Sequence, residues 1–401
     1  MRRVLFVDDE PNILEGLRNL LHRQRRKWEM LFVQSGREAL EVLAREPVDV
    51  IVTDMCMPEM DGATLLKKAQ ELSPRSVRIV LSGHSELEAV MRAVPVAHQF
   101  LCKPCEPAVL ESAVERACNL QSLMNEEGVR RIVGRVGNLP SLPRVYSRLT
   151  TALSKDTVSA SDIARILKQD MAICAKVLQM VNSAFFRLQR TISGIEEAVA
   201  YLGFNTIRQI VLAVEVFRNS HPQIQPKISL EALQAHALLV ADLASNLYAE
   251  KRGKEDAFVA GLLHDIGKLV LAIGLPAHFD KTIAEMKDRD CPMYIAEQRV
   301  SGVTHAEVGG YLLGLWGLPY PIVEAVASHH MPSRVDAKEF GILASTHIAN
   351  ALIHDELSSI AGGSEQHSTS LDLGYVESIG VEARLPEWRE LARQRVAAGS
   401  D

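Results

Sequence analysis

A chain of 401 residues with 47% hydrophobic side chains exceeds what one hydrophobic core ordinarily serves, so two folding units are expected. A formal net charge of −6 argues against a general nucleic-acid-binding surface, and the short basic run Arg25-Arg26-Lys27 reads as a solvated helix end. The first apolar run, Val4 to Val7, is too short for a signal-peptide core, no other run is expected to span a membrane, and the cysteines at 56, 102, 105, 118, 174 and 291 follow no secreted framework, which together predict a cytoplasmic, reducing setting.

Four short, branched-rich apolar runs open the chain: 4–7 (VLFV), 48–53 (VDVIVT), 77–81 (VRIVL) and 99–102 (QFLC). Helical patterns near 11–22, 36–46, 62–71 and 86–94 alternate with them. This is the rhythm of a parallel sheet wrapped by helices, in which chemistry gathers at the carboxyl ends of the strands. Asp8 and Asp9 follow the first run and Asp54 a later one, so three carboxylates should converge, with Ser82 and Lys103 at two further strand ends. Clustered carboxylates repel unless a hard cation such as Mg²⁺ sits among them. A lysine ammonium and a serine hydroxyl are suited to phosphate oxygens. Cys102-Lys-Pro-Cys105 has redox or zinc-knuckle spacing, but a single CxxC lacks a second ligand pair.

With "VDDE", "TDMCMPEMDG", "LSGH" and "CKP" in order, residues 1–122 resemble the receiver domain of bacterial response regulators. The resemblance implies a doubly wound, five-stranded parallel α/β sheet. It also implies phosphorylation of Asp54 by a sensor histidine kinase, Mg²⁺ held by Asp8, Asp9 and Asp54, and sensing of the phosphoryl group by Ser82, Lys103 and the switch aromatic Phe100. The two cysteines then simply flank the Lys-Pro turn.

From Pro107, the residues Leu110, Val114, Ala117, Leu120 and Met124 recur at three- and four-residue steps, predicting one amphipathic helix. It runs towards Gly128 and Gly134 as a helical linker over 123–138. Two readings stay open: a helix that transmits a receiver rearrangement or pairs with its twin in a homodimer, and a last receiver helix with a passive linker.

Beyond "LPSLP" (139–143) helical patterns dominate, at 144–153, 160–169, 171–182, 195–201, 205–218, 230–250, 255–263 and 305–316. Asp170 and Ser161 are candidate helix starts. The blocks "LPSLPRVYSRL", "SASDIARILKQDMAICAKVLQMVNSAFF" and "ISGIEEAVAYLGFNTIRQIVL" resemble the HDOD domain over about 139–355. This is an all-α output module related to the metal-dependent HD phosphohydrolases that has, in most members, lost the catalytic ligands. The tail 356–401 reads as a polar loop, "AGGSEQHSTS", and a helix anchored by Trp388 and Leu391.

Nine of the thirteen histidines lie after residue 230. The HD resemblance makes His236, His264, Asp265, His305, His329 and His330 a candidate site for a transition metal (Mn, Fe or Zn). Imidazoles with a carboxylate suit such ions, which can make a bound water nucleophilic. Lys268, one turn after His264, is a candidate phosphate contact. The last HD ligand, an aspartate, is replaced by Asn350, a neutral and weaker donor; Asp355 should face elsewhere. The related HD-GYP cyclic dinucleotide phosphodiesterases share the paired histidines and "HDIGK", but "HHMPSRVDAKEFG" lacks their glycine-tyrosine-proline signature. The expectation is a regulator whose HDOD module works through protein partners. The alternative is a phosphorylation-gated metal phosphohydrolase. A DNA-binding output would need a basic recognition helix, and the second half shows none.

Overall fold

The computed structural model describes residues 1–83, 87–123, 133–134, 143–153, 158–186, 188, 190–216, 229–248, 251–336, 339–361 and 370–398. The expectations for Met124, for Gly128, for most of the 123–138 linker and for the polar loop after Ala361 fall outside them.

The first third is a parallel sheet of β1 (Arg2–Val7), β2 (Trp28–Val33), β3 (Val50–Asp54), β4 (Val77–Gly83) and β5 (Gln99–Lys103), in the order β2-β1-β3-β4-β5. Around it lie α1 (Pro11–Leu20), α2 (Gly36–Arg45), α3 (Gly62–Leu72), α4 (Leu87–Ala93) and α5 (Pro107–Leu123). The inner strands are buried over Val4–Val7, all of β3, and β4 as far as Ser82 because helices cover both faces, which is why they read as apolar runs. The four-run reading lacked β2. It is an edge strand with a mixed burial pattern, so WEMLFV shows neither a continuous run nor a strict alternation.

The second part is helical: α6 (Pro143–Leu153), α7 (Ala160–Leu167), α8 (Met171–Val181), α9 (Ile195–Val216), α10 (Leu230–Asn246), α11 (Lys251–Leu263), α12 (Ile266–Gly274), α13 (Pro276–Arg289), α14 (Met293–Ser301), α15 (His305–Leu315), α16 (Tyr320–Ser328), α17 (Ile342–Ala361), α18 (Leu373–Ser378) and α19 (Leu385–Ala398). Gly203, at φ 74°, interrupts α9, close to where two separate helical patterns are read. Asp170 caps α8 through the amides of Ala172 and Ile173. Ser161 does not start α7. That role belongs to Ser159, whose hydroxyl accepts from Asp162 N–H while the Asp162 carboxylate returns the bond, the reciprocal box that satisfies two otherwise orphaned donors.

One apolar stretch does reach membrane-spanning length, against expectation: Gly253–Gly274, 22 residues whose most apolar 18-residue window has a mean hydropathy of 1.6. The His264-Asp265 turn divides it into α11 and α12, and 78% of its most apolar window is buried inside the protein. It is the core helix pair of this half. Gly261 lets α11 approach α10 closely: a Cβ there would lie 2.7 Å from Ala241 Cα. That contact brings His236 and His264 side by side.

Candidate functional site

The receiver crevice forms at the carboxyl ends of β1, β3 and β5. Asp8 follows β1 and Asp54 ends β3, both buried. Lys103, the last residue of β5, donates to Asp8 Oδ2 at 2.8 Å and pairs with Asp54 Oδ1. Burial pushes the Asp54 carboxyl up from its usual range, against the pull of Lys103. Lys103 is itself held above the usual lysine range by the two carboxylates, although burial alone would lower it. Asp54 Oδ2 accepts from Cys56 N–H at 3.0 Å. Asp9 is half-buried at the next position of the β1 loop. Ser82 lies one residue beyond Leu81, the register partner of Asp54, and Phe100 pairs with Val80 in the core. Thus Asp8, Asp54 and Lys103 meet directly, and Ser82 stands at the same end of the neighbouring strand. This arrangement places a buried carboxylate beside a cation, a pairing suited to phosphate oxygens.

A second cluster is built from five helices. His236 comes from the middle of α10. His264 and Asp265 form the α11–α12 turn, His305 is the first residue of α15, and His329 and His330 follow α16. Asn350 faces them from α17, its Oδ1 accepting from His236 Nε2 at 3.0 Å. Asp355 turns away to Arg389, 3.6 Å distant. Every residue read as a candidate ligand is therefore at this one locus. Close packing of α12 on α15 makes it possible, since a Cβ on Gly267 would lie only 1.9 Å from His305 O.

Tautomers follow from the partners. Carbonyls only accept, so His264 donates Nδ1–H to Gly261 O (2.7 Å) and His329 donates Nδ1–H to Val326 O (2.8 Å). His305 donates Nδ1–H to Glu297 Oε2 at 2.7 Å. Each ring is left with its Nε2 turned inward. His264 Nε2, His329 Nε2 and His330 Nδ1 are buried with no hydrogen-bond partner among the described residues. Buried polar atoms are seldom left so.

The spacings fit a metal ion. Nitrogen and oxygen ligands about 2.1 Å from one ion lie roughly 3.0–3.4 Å apart at right-angle to tetrahedral geometry. His305 Nε2 is 2.9 Å from His330 Nε2 and 3.2 Å from Asp265 Oδ1, and His264 Nε2 is 3.4 Å from Asp265 Oδ2. His329 Nε2 stands further off, 4.0 Å from Asp265 Oδ1. Two groups result, His305 with His329 and His330, and His236 with His264 and Asp265. Asp265 turns one oxygen towards each. Two features work against a hydrolytic centre. Lys268 Nζ pairs with Asp265 Oδ2 at 2.6 Å, so this candidate phosphate contact is already engaged. Asn350 also brings no charge.

The electrostatics are those of a dry site. Burial lowers His236 to about 3 and holds His264, His329 and His330 below the usual histidine range. His305 is raised despite its burial, because Glu297 and Asp265 flank it. Asp265 is held well below the usual range by His264 and Lys268, although burial alone would raise it. Tyr294 stacks on His330 at 4.3 Å and 14°. Glu297, buried on α14, is the residue that sequence reasoning missed; it also accepts from His305 N–H at 2.8 Å. Its only signal is an acid eight positions before His305, which looks like any solvated helix residue.

Comparison with known proteins follows this division. The response regulator receiver domain model matches residues 4–115 and the HDOD domain model residues 139–332. An uncharacterized protein of Treponema pallidum is 27% identical over 205 residues, 50% of this chain and 39% of its own. The hydrogenase transcriptional regulatory protein HoxA of Cupriavidus necator is 38% identical over 125 residues, 31% of this chain and 25% of its own. The chain thus spans between a quarter and two-fifths of the length of these curated relatives. In fold, it is similar to a virulence factor of Campylobacter jejuni, with a TM-score of 0.51 at 20% identity over 68% of this chain and 100% of that one.

Proposed function

Because the chain carries a response regulator receiver domain followed by an HDOD domain, and so has a role in two-component signalling, we propose that phosphorylation at Asp54 controls a non-catalytic HDOD module acting through protein partners in the cytoplasm. The observation that carries this reading is the Asp8–Lys103–Asp54 contact at the strand ends. Asp54 attacks the phosphorus of the donor, the donor group leaves, and Lys103 stays close to neutralise the new charge. A receiver requires a phosphodonor; a sensor histidine kinase is the natural one. Receiver domains bind Mg²⁺, and Asp8, Asp9 and Asp54 are the residues that would hold it here. When bound, the ion supplies charge neutralisation for the phosphoryl oxygens. We take the receiver as residues 1–122, the linker as 123–138, the output module as 139–355, and the linker helix as a site for pairing in a homodimer.

In the HDOD half, the orphaned nitrogens and the ligand-like spacing support a bound transition ion, Mn, Fe or Zn, with a role in holding five helices together. The paired Lys268 and neutral Asn350 disfavour hydrolysis. A small phosphodonor with Mg²⁺ should add one phosphoryl mass to the wild-type chain and none to Asp54→Asn. Equal labelling of both would refute the assignment.

A further inference from the structure

Helix α8 is apolar except for Lys176 and Gln179, and both of these are buried. Neither side chain turns to water or to an acid. Lys176 Nζ donates to Val94 O at 3.0 Å and to Gln179 Oε1 at 3.0 Å, and stands 4.3 Å above the Trp316 ring. Gln179 Nε2 donates to Ala97 O and His98 O at 3.2 and 3.1 Å. In return Gln99 Nε2 of β5 donates to Leu315 O, 3.0 Å away at the end of α15. The segment from Val94 to Gln99, which joins α4 to β5, is thus gripped by the helical half. Arg78 holds it from the receiver side, through Val96 O at 2.6 Å.

Three features make this grip sensitive to Asp54. Strand β5 lies at one edge of the sheet, bonded to β4 alone, so it is freer to shift than the inner strands. Lys103, which touches Asp54, and Gln99, which touches Leu315, are its two ends. A cavity of about 610 Å³ also separates the Cys102–Cys105 turn from Asn182 and Trp316, leaving the turn that carries Lys103 room to move.

We propose that α8 reads the receiver directly through the carbonyls of Val94, Ala97 and His98, and that phosphorylation of Asp54 releases this grip by drawing Lys103 and β5 out of register with Lys176 and Gln179. The inference rests on the phosphorylation reading above. An acyl phosphate at Asp54 carries close to two negative charges where the carboxylate carried one, and it adds acceptor oxygens beside Lys103, displacing the present Asp54 contact. Hydrogen bonds to successive backbone carbonyls hold only in one register, so a shift of about an ångström weakens all of them together. Among the described residues, no ion pair joins an acid to Lys176 or Arg78, so the seam buries two cationic side chains without a carboxylate. The route differs from transmission along α5.

The test is hydrogen–deuterium exchange on the full chain with Mg²⁺, before and after a small phosphodonor, with intact mass recording phosphorylation. Peptides covering 94–99 and 171–183 should exchange at least tenfold faster once Asp54 is modified, since the side-chain bonds that hold the two segments together, and so keep water from their amides, are lost. Gln179→Ala should show roughly tenfold faster exchange there without phosphodonor and a smaller further change with it. Unchanged seam exchange in a chain shown to be phosphorylated overturns the inference and leaves Asp54 as the acceptor. Failure to take up phosphate overturns both readings. The wild-type comparison decides the matter even if Gln179→Ala does not fold.

Discussion

Replacing Gly267 by alanine should damage the histidine cluster without touching any of its side chains. The added Cβ would lie 1.9 Å from His305 O, 2.7 Å from His305 C and 2.9 Å from Gly309 N. These are backbone atoms, which cannot rotate away. Helices α12 and α15 must separate by roughly 1 Å or more to restore ordinary contact, and overpacking of this kind costs about 3 kcal/mol or more. For a helical unit of this size that is a fall in melting temperature of roughly 6–12 °C. The same displacement lengthens the 3.2 Å spacing between Asp265 Oδ1 and His305 Nε2, beyond what one ion can bridge. Gly16 is the internal control: it lies inside α1 and a Cβ there meets nothing within 4 Å, so Gly16→Ala should leave stability unchanged or raise it by up to about 1 kcal/mol. Thermal unfolding and metal content of the two variants are the assay. Wild-type melting and metal content in Gly267→Ala would refute the packing argument.

Further outcomes follow from the same geometry. Glu297→Ala should lower metal affinity 10- to 100-fold, roughly the loss seen when a ligand's outer partner is removed, and Glu297→Gln should lose less because an amide oxygen can still accept from His305; unchanged metal titrations in both would remove the orienting role. Lys176 is depressed by burial to about 7, with Arg78 and His98 beside it and, among the described residues, no acid paired to it. The docked seam therefore binds fewer protons than the separated surfaces above that pH. Docking should strengthen as pH rises from 7 towards 10.5, by up to about 100-fold between pH 7 and 9, and lose this dependence below 7. Acrylamide quenching of Trp316 measures it, and Lys176→Met should flatten the profile; a profile equal in both assigns the dependence elsewhere. Asp265→Asn removes the one carboxylate shared by both ligand groups, and metal stoichiometry in that variant should fall below half of the wild-type value.

Much of this was legible in the chain because it is written in local patterns. The inner strands announce themselves as branched runs, and the crevice residues sit at their ends, so Asp8, Asp54 and Lys103 could be placed together from order alone. The histidine cluster was read residue by residue from the HD resemblance, and every one of those side chains lies at a single locus. What escaped was non-local. Strand β2 is half-buried at an edge and carries Glu29, which breaks its pattern. Ser159 and Ser161 are two positions apart, and only the returned bond from Asp162 tells which one caps. Lys176 and Gln179 interrupt the apolar sequence MAICAKVLQMV without forming a polar face. In a helix buried all round, that interruption marks contacts to another part of the protein, but the sequence does not say which part.

The claim that the helical half works by shape and not by hydrolysis has a direct test. The full chain, loaded with Mn²⁺ and phosphorylated at Asp54, is offered bis-p-nitrophenyl phosphate and cyclic dinucleotides, beside His264→Ala as the blank. The account predicts turnover no greater than that of His264→Ala, with or without the phosphodonor. Turnover that depends on Asp54 and disappears in His264→Ala would contradict it.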